Sequence, residues 1–359
     1  MLFYYLIWTV FAFFSLIEFC GLNQRDDRKI FLLLSIFLFF LSFIRWEVGT
    51  DWKAYYDFFS VSTNLGSGAL FEWGYCRINE IVRFFTDDYT ILLFVLGSII
   101  FTFQTLALSR MSAYPTFSLF FLWSVSFGNV LFVRQTIATS ILLFSIIYIQ
   151  KHKKWPFMIC IIVATLFHQT SLIFIPAWWL YQVKIKNKWL CIGIIASVLF
   201  MAVIRSCFEI LSNYVGPLLQ HKIDVYLSDS NSSIGAASSF TQIVFRGVLN
   251  KISLFSVFLY FRNRAMMQYP YFERLLNLYW FGIILYFSTI GISVVMVRFS
   301  FAYDILQVIL AAIVFKVISK KENKILFLFI FILYLGIRLY ISLVGSYYEA
   351  FVPFKTILW

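Results

Sequence analysis

The sequence is poor in charge and in the residues that define several common classes of protein. Charged side chains make up 13% of the 359 residues, and there are only 6 prolines. Soluble domains carry about 25% charged residues, so this deficit excludes a soluble globular protein. The 45 phenylalanines and 11 tryptophans exclude a disordered or collagen-like chain. With a mean hydropathy of +0.86, the sequence predicts an all-α polytopic membrane protein.

Disulfide, metal and nucleotide signatures are also missing. The five cysteines have no CxxC spacing, and we interpret them as packing residues. His152 lies in a basic loop and His221 in a polar segment, so no histidine pair or acidic cluster has the spacing of a metal site. There is no Walker, GxSxG or dinucleotide-binding motif. We therefore expect neither a metal nor another cofactor, and any chemistry would use an already activated donor.

Apolar runs close to the length of a membrane crossing recur along the whole chain. The first lacks the basic start of a signal peptide, so we treat it as a retained span. We predict about twelve transmembrane helices in a single integral membrane domain over residues 1–359. The twelve runs are 2–20, 30–45, 90–108, 115–128, 130–149, 155–167, 170–182, 189–207, 243–261, 275–291, 293–315 and 325–343.

Segment 155–182 is either one long tilted helix or two short ones. Lysines flank it on both sides, at 151–154 and at 184–188, and the positive-inside rule places both flanks in the cytoplasm. Two helices satisfy this rule, with the break at His168 facing outside. Because irregular backbone inside a membrane is tolerated only where it is buried in protein or lines a watery cavity, a cavity is implied at His168.

This topology collects 17 of the 29 cations in short cytoplasmic loops and places both termini outside. The outer face then has two long segments, 45–89 and 208–242. The first contains an amphipathic pattern around Arg77 and Arg83 that predicts a helix at the membrane interface. The second is rich in Ser, Asn and Gly and is typical of a mobile lid or gating loop. We therefore expect the functional site on the outer face.

Six arginines lie at or within the outer ends of six different predicted spans. An Arg inside a span costs about 2.5 to 3.5 kcal/mol, so we expect these side chains to line a shared polar cavity. The guanidinium stays charged and its donors match phosphate oxygens, which predicts an extracytoplasmic site for phosphate or pyrophosphate. The alternative for each is snorkelling to the headgroups or pairing with a carboxylate. The six are Arg45, Arg134, Arg205, Arg246, Arg298 and Arg338.

Other polar residues are candidates beside these arginines. His168 is either a packing histidine or part of the site, and its place at the predicted break favours the site. Asp51 is either the N-cap of a helix that begins at Trp52 or a catalytic or sugar-binding carboxylate. Glu47 and Tyr303 are further candidates. Five aromatic residues either stack on sugars or form an interfacial belt, namely Trp46, Trp52, Trp73, Tyr347 and Tyr348.

Four pieces of the sequence follow one another in a distinctive order, namely RWEVGTDW from Arg45, RQTIA from Arg134, the KHKKW turn from Lys151 and ATLFHQTS from Ala164. Together they resemble the EpsG-like branch of the Wzy-type O-antigen and exopolysaccharide polymerases. The resemblance covers most of residues 40–185. Beyond residue 190 it is mainly in layout, with a long outer loop followed by an Arg-Phe pair in a late span.

The resemblance implies a glycosyltransferase with a GT-C-like architecture at the periplasmic face of the bacterial inner membrane. It would move a growing chain from undecaprenyl pyrophosphate to the terminal sugar hydroxyl of a new lipid-linked repeat unit. Membrane lipids and a chain-length regulator would be further partners, and nucleic acid would not.

The residues fit this reaction in three roles. Arg134 and Arg298 would stabilise charge on the leaving pyrophosphate. His168 would take the acceptor proton or orient the acceptor, with Asp51 or Glu47 as the second candidate. The remaining residues would bind the second pyrophosphate or the sugars, namely Arg45, Gln135, Arg205, Arg246, Tyr303 and Arg338.

Three other functions are alternatives. An O-antigen ligase shares the lipid donor and differs in its acceptor. A flippase or anion transporter needs a cavity that opens alternately to both faces, whereas the cations within the spans lie toward one side and no inverted repeat is visible. A membrane acyltransferase would place a carboxylate near the histidine and use a cytoplasmic thioester.

Overall fold

The computed structural model of the chain describes residues 1–21, 23–61, 71–212, 214, 240–344 and 347–358. Over these residues the regular secondary structure consists of helices and one isolated antiparallel bridge between Arg45 and Thr356. The chain forms two compact units. Unit 1 comprises Met1–Ile175 and Ala311–Trp359, and unit 2 comprises Pro176–Leu310. Because unit 1 contains both ends of the chain, no single sequence boundary separates the units.

The α-helices described over residues 1–175 of unit 1 range from 10 to 23 residues in length. In chain order they are α1 (Leu2–Cys20), α2 (Gln24–Ile44), α3 (Trp52–Val61), α4 (Trp73–Phe85), α5 (Tyr89–Met111), α6 (Pro115–Ser126), α7 (Arg134–Gln150) and α8 (Lys154–Thr165). Two short 3-10 helices, Phe127–Asn129 and Gln169–Phe174, follow α6 and α8.

The helices of unit 2 are interrupted more often. They are α9 (Ala177–Leu180), α10 (Asn187–Phe200), α11 (Ile204–Ser212), α12 (Phe240–Gly247), α13 (Ser253–Gln268), α14 (Phe272–Ile290) and α15 (Phe301–Asp304). A π-helix, Val248–Ile252, joins α12 to α13, and a 3-10 helix, Val294–Ser300, precedes α15. The chain continues through α16 (Gln307–Val317) into α17 (Lys321–Val344) and α18 (Tyr348–Phe351) of unit 1.

Five helical segments in the described part of the chain are long and apolar enough to cross a membrane. They are Leu2–Cys20, Tyr89–Met111, Phe240–Gln268, Met296–Val317 and Glu322–Val344. Shorter apolar helices cover Lys154–Thr165 and Asn187–Phe200. The protein is therefore an integral membrane protein, and the number of about twelve crossings stays a prediction.

Local sequence signals explain where two of the long helices begin. The side chain of Asn23 accepts a hydrogen bond from the backbone N–H of Arg25 at 3.3 Å, at the start of α2. Asp88 accepts one from the N–H of Thr90 at 2.8 Å, at the start of α5. Both side chains satisfy an amide that the helix itself leaves without a partner.

Helix α6 is capped by a residue of another helix. The Glu18 carboxylate of α1 accepts hydrogen bonds from the backbone N–H groups of Thr116 and Phe117 at 3.0 and 2.9 Å. Glu18 is buried, and a negative charge at a helix N-terminus is favourable. This contact fixes α1 to the start of α6 in the core of unit 1.

Helix α7 lies at the centre of unit 1, where it packs against α5 and α8. Apolar side chains on several of its faces are buried, among them Ile137, Leu142 and Ile146. A helix that is apolar on all sides belongs in a core. Its first residue, Arg134, is therefore a charged group placed at the edge of that core.

The two predicted outer segments differ in how far the structure describes them. In segment 45–89, α4 buries Tyr75 and Val82, whereas the Phe84 side chain on its other side is 83% exposed. This two-sided helix suits the predicted interfacial position, which stays a prediction. The predicted gating loop, 208–242, lies for the most part outside the described residues.

The last described residues of unit 1 are joined to segment 45–89 by backbone hydrogen bonds. The N–H of Trp46 donates to Lys355 O at 3.0 Å, and the N–H of Gly49 donates to Ala350 O at 2.8 Å. The Tyr4 hydroxyl donates to Phe351 O at 2.6 Å. The turn that follows α2 is thus held from the C-terminal side of the sequence.

Candidate active site

Arg134, at the start of α7, contacts three residues of segment 45–89. Its Nη1 donates to the Glu72 carboxylate, and its Nε donates to the Tyr55 hydroxyl at 3.2 Å. The guanidinium also lies 4.3 Å from the centre of the Phe71 ring, a cation–π contact. The Arg134 and Glu72 side chains are 21% and 13% exposed, so the ion pair is shielded but still reachable. We call these four residues the Arg134 cluster.

Glu72 also contacts the break between α8 and the following 3-10 helix. Its second carboxylate oxygen accepts a hydrogen bond from the backbone N–H of Gln169 at 3.4 Å. Two residues later, the N–H of Gly74 donates to Leu166 O at 2.8 Å. A Cβ on Gly74 would lie 2.8 Å from that same oxygen, so glycine is what allows this approach. Glu72 therefore joins Arg134 to the break.

His168 occupies the break itself, as the sequence predicts. Helix α8 ends at Thr165, and His168 is extended, with φ −157° and ψ 115°, before the 3-10 helix begins at Gln169. Its side chain is half-buried, and Nδ1 lies 2.7 Å from the Thr170 hydroxyl. This hydrogen bond restricts the orientation of the imidazole ring beside the Arg134 cluster.

The electrostatics of the cluster keep Tyr55 neutral. Burial raises the pKa of the Tyr55 phenol, and the Arg134 guanidinium opposes this rise. The carboxylates of Asp51 and Glu72 add to the rise in the pKa. Asp51, a predicted site residue, is exposed and directly precedes α3. Its effect on the pKa of Tyr55 places it within electrostatic range of the cluster. The neutral hydroxyl remains a hydrogen-bonding group next to the arginine.

Arg45 is buried, with 2% of its surface exposed, and its guanidinium binds backbone oxygens. Nη1 donates to Val48 O at 2.7 Å and to Leu131 O at 2.8 Å, and Nε donates to Ser42 O at 3.2 Å. These contacts join the turn after α2 to the segment that leads into α7. They give Arg45 a structural role, and its predicted contact with a pyrophosphate stays a prediction.

Three other predicted site residues of unit 1 have separate surroundings. Glu47 adopts a left-handed conformation with φ 52° and accepts a hydrogen bond from Lys355 Nζ at 2.8 Å. Gln135 is half-buried and follows Arg134 in α7. Arg338 of α17 donates to the Tyr334 hydroxyl at 2.7 Å, within its own helix.

The other four predicted site residues belong to unit 2. Arg205 donates to Glu209 at 3.1 Å on exposed α11, and Arg246 is half-buried in the last turn of α12. Arg298 is exposed on the 3-10 helix, and Tyr303 is fully buried beside Phe281. The convergence of these arginines with those of unit 1 on one cavity stays a prediction.

The described residues include a mainly apolar cavity and no cluster placed to hold a metal ion. A cavity of about 350 Å³ lies between α2 and α5, where Leu32, Phe39 and Phe101 make its lining mainly apolar. None of the predicted site residues line it. Among the residues that the structure describes, no group of three His, Cys, Asp or Glu side chains is placed to hold a metal ion. The expectation of a metal-free site stays a prediction.

Sequence reasoning missed Glu72 and Tyr55. Glu72 directly precedes the amphipathic pattern of α4, where an acidic residue is typical of a helix start. One signal was available: an arginine inside an apolar run needs a partner, and Glu72 lies in the outer segment on the same predicted face as Arg134. No sequence pattern distinguishes Tyr55 from the tyrosine that follows it.

Comparison with known families gives one result that bears on all of these residues. The sequence model of the EpsG family matches residues 28–356, which contain the Arg134 cluster and every predicted site residue. Searches of curated proteins and of solved structures find no match. The family match therefore stands beside the geometry as an independent finding.

Proposed function

This chain belongs to the EpsG family, a family of polymerase-type membrane enzymes, and from this membership we propose that it polymerises lipid-linked oligosaccharides. The substrates would be undecaprenyl-pyrophosphate-linked repeat units at the periplasmic face of the inner membrane. The enzyme transfers the growing chain to the terminal sugar hydroxyl of a new unit. We further propose the twelve predicted crossings and a GT-C-like architecture.

The observation that carries this proposal is the Arg134 cluster at the helical break. Arg134 lies in a mainly apolar protein, where Glu72 balances its charge and the Tyr55 hydroxyl helps to orient its planar fork of N–H donors. A fixed guanidinium that is reachable from outside is suited to the phosphate oxygens of a lipid pyrophosphate. Its orientation is set before the substrate binds, which is what electrostatic stabilisation of a transition state requires.

The reaction is a single displacement at the anomeric carbon. The acceptor hydroxyl oxygen forms a bond to C1 as the bond from C1 to the pyrophosphate oxygen breaks. The electron pair of that bond leaves with undecaprenyl pyrophosphate, and Arg134 and Arg298 stabilise the added charge. Direct displacement inverts the configuration at C1, and the chemistry requires no metal.

The proton of the acceptor hydroxyl needs a base within hydrogen-bond reach. His168 is our first choice, because its ring is oriented by Thr170 and the residue that follows it, Gln169, binds Glu72 through its backbone N–H. Asp51 and Glu47 are the alternatives from the sequence, and the geometry adds Glu72. Since pyrophosphate is a good leaving group, loss of the base would slow the reaction without abolishing it.

The test is incubation of the purified protein with a synthetic undecaprenyl-pyrophosphate repeat unit. We expect a ladder of longer products and one released undecaprenyl pyrophosphate for each bond formed. A ligase would instead require lipid A core as the acceptor, and a flippase would move the lipid without forming a bond. Added chelator should leave the product ladder unchanged. Loss of the ladder in the presence of chelator would contradict the metal-free mechanism.

A further inference from the structure

Unit 2 contains a polar network of its own. Lys251 Nζ donates to the Asp304 carboxylate and, at 3.2 Å, to the Ser300 hydroxyl. The Ser300 oxygen lies 2.8 Å from Asp304 Oδ2 and 2.9 Å from Val297 O, and it donates to one of these two acceptors at a time. The Lys251 and Asp304 side chains are only 13% and 16% exposed.

Both sides of this network are irregular backbone within apolar helical segments. Lys251 lies in the π-helix that interrupts Phe240–Gln268, and Ser300 ends the seven-residue 3-10 helix Val294–Ser300. A π-turn inside a helix is frequent at functional sites, and 3-10 runs of more than four residues are uncommon. An ion pair inside a membrane segment is expensive to insert, whereas apolar side chains fill the same space without that cost. Packing alone therefore does not explain the pair.

Two hydroxyl groups contact the backbone that leads into Arg298. Ser300 of the network is fully buried, and its hydroxyl contacts Val297 O, directly before the arginine. Outside the network, the Thr289 hydroxyl of α14 lies 2.7 Å from Leu285 O of its own helix and 3.2 Å from Met296 O. The Arg298 side chain is nevertheless exposed. The chain thus fixes the segment that bears this arginine and leaves its guanidinium accessible.

We propose that the Lys251–Asp304 pair is a positioning device for Arg298. Lys251 fixes Ser300, and the Ser300 hydroxyl contacts the Val297 carbonyl that directly precedes Arg298, so that the Arg298 guanidinium is presented to an anionic leaving group in one orientation. Stabilisation of a transition state depends on such prior orientation, and a small misplacement lowers the rate strongly. The inference rests on the proposed function for the role of Arg298.

The experiment separates folding from positioning by removing both charges together. Lys251→Met or Asp304→Asn alone leaves one buried charge without the opposite charge that balances it, and we expect less folded protein. The double variant, Lys251→Met with Asp304→Asn, leaves no charge and is expected to restore the folded amount. Its kcat should nevertheless fall on the order of tenfold or more, with KM for the lipid-linked unit little changed.

The matched control is a second buried ion pair in the described part of unit 2, between Arg262 and Glu273. The variant Arg262→Met with Glu273→Gln should retain the wild-type kcat per folded molecule. Ser300→Ala, which changes no charge, should lower kcat in the wild-type background and have no further effect when Arg298 is alanine. Additive losses in that pair would overturn the inference, because residues that act through one another are not independent.

Two further outcomes are distinguishable. Wild-type kcat in the folded double variant, together with a strongly reduced but measurable kcat in Arg298→Ala, would overturn the positioning role alone. Wild-type kcat in Arg298→Ala would overturn both this inference and the catalytic role of Arg298 in the proposed function.

Discussion

Glu72 and Arg134 form an ion pair that joins the start of α7 to the helical break at His168. Neither residue is close to the other in sequence, and each lies at an end of a helix. The carboxylate satisfies the guanidinium while no anion is present. A pyrophosphate that binds Arg134 would therefore compete with the Glu72 carboxylate for the same guanidinium.

Replacement of Arg134 should stop polymer formation. We expect Arg134→Ala to reduce kcat by about 100-fold to 1,000-fold, as for removal of one oriented donor in other enzymes. Arg134→Lys should also fail, because a point charge cannot bind Glu72, Tyr55 and a phosphate with one planar fork. Product ladders from lipid-linked repeats measure this. Arg77→Ala, on the exposed side of α4, is the control, and normal ladders from Arg134→Ala would exclude the assignment.

Replacement of Glu72 should separate binding from turnover. Glu72→Gln keeps the shape but removes the charge that competes with an anion for Arg134. We expect undecaprenyl pyrophosphate to bind as tightly as in the wild type or more tightly. We also expect kcat to fall about tenfold to 100-fold, because the Arg134 guanidinium is no longer held in one orientation. Binding titration and turnover measure the two effects. Glu80→Gln in the same helix should change neither, and weaker binding by Glu72→Gln would contradict this role.

The approach of α4 to the break should tolerate no side chain at position 74. Gly74→Ala would place a Cβ 2.8 Å from Leu166 O, which requires α4 to move. We expect a loss of about 1 to 3 kcal/mol in the free energy of unfolding and a lower kcat. Thermal unfolding in detergent tests this. At Gly336 an added Cβ meets nothing closer than Trp8 at 3.5 Å, so Gly336→Ala should be neutral.

The buried phenol of Tyr55 should limit stability at alkaline pH. Its pKa is raised by burial above the ordinary value of about 10. The unfolded phenol therefore loses its proton first, so the contribution of Tyr55 is fully present below pH 10 and is lost as the pH rises further. Between pH 8 and pH 11, the unfolding temperature should fall less for Tyr55→Phe than for the wild type. Exposed Tyr214→Phe is the control, and equal falls in all three would contradict the prediction.

The sequence predicts the membrane class, the helical break and the importance of Arg134, because these depend on local composition. Apolar runs, flanking lysines and a charge within a run are visible without any long-range contact. The same reasoning does not distinguish Arg45 from Arg134. Their difference lies in partners that are distant in sequence, namely Leu131 O for the first and Glu72 for the second.

Lys251 was missed for a related reason. A lysine near an outer helix end is ordinarily explained by its long stem reaching the headgroups. Its ion pair with Asp304 depends on a π-helix and a 3-10 helix, neither of which has a sequence signature in this chain. Tertiary contacts, rather than propensity, therefore decide which cations serve the site.

The hydrogen bonds from Trp46 and Gly49 to residues 355 and 350 have a consequence for biogenesis. The ribosome releases α2, α4 and α7 long before these partners are synthesised. The turn that precedes Asp51 therefore gains its final restraints only late in translation, after unit 2 has been translated. A nascent chain stalled before residue 347 would carry every arginine discussed above and still lack the two backbone hydrogen bonds that restrain this turn.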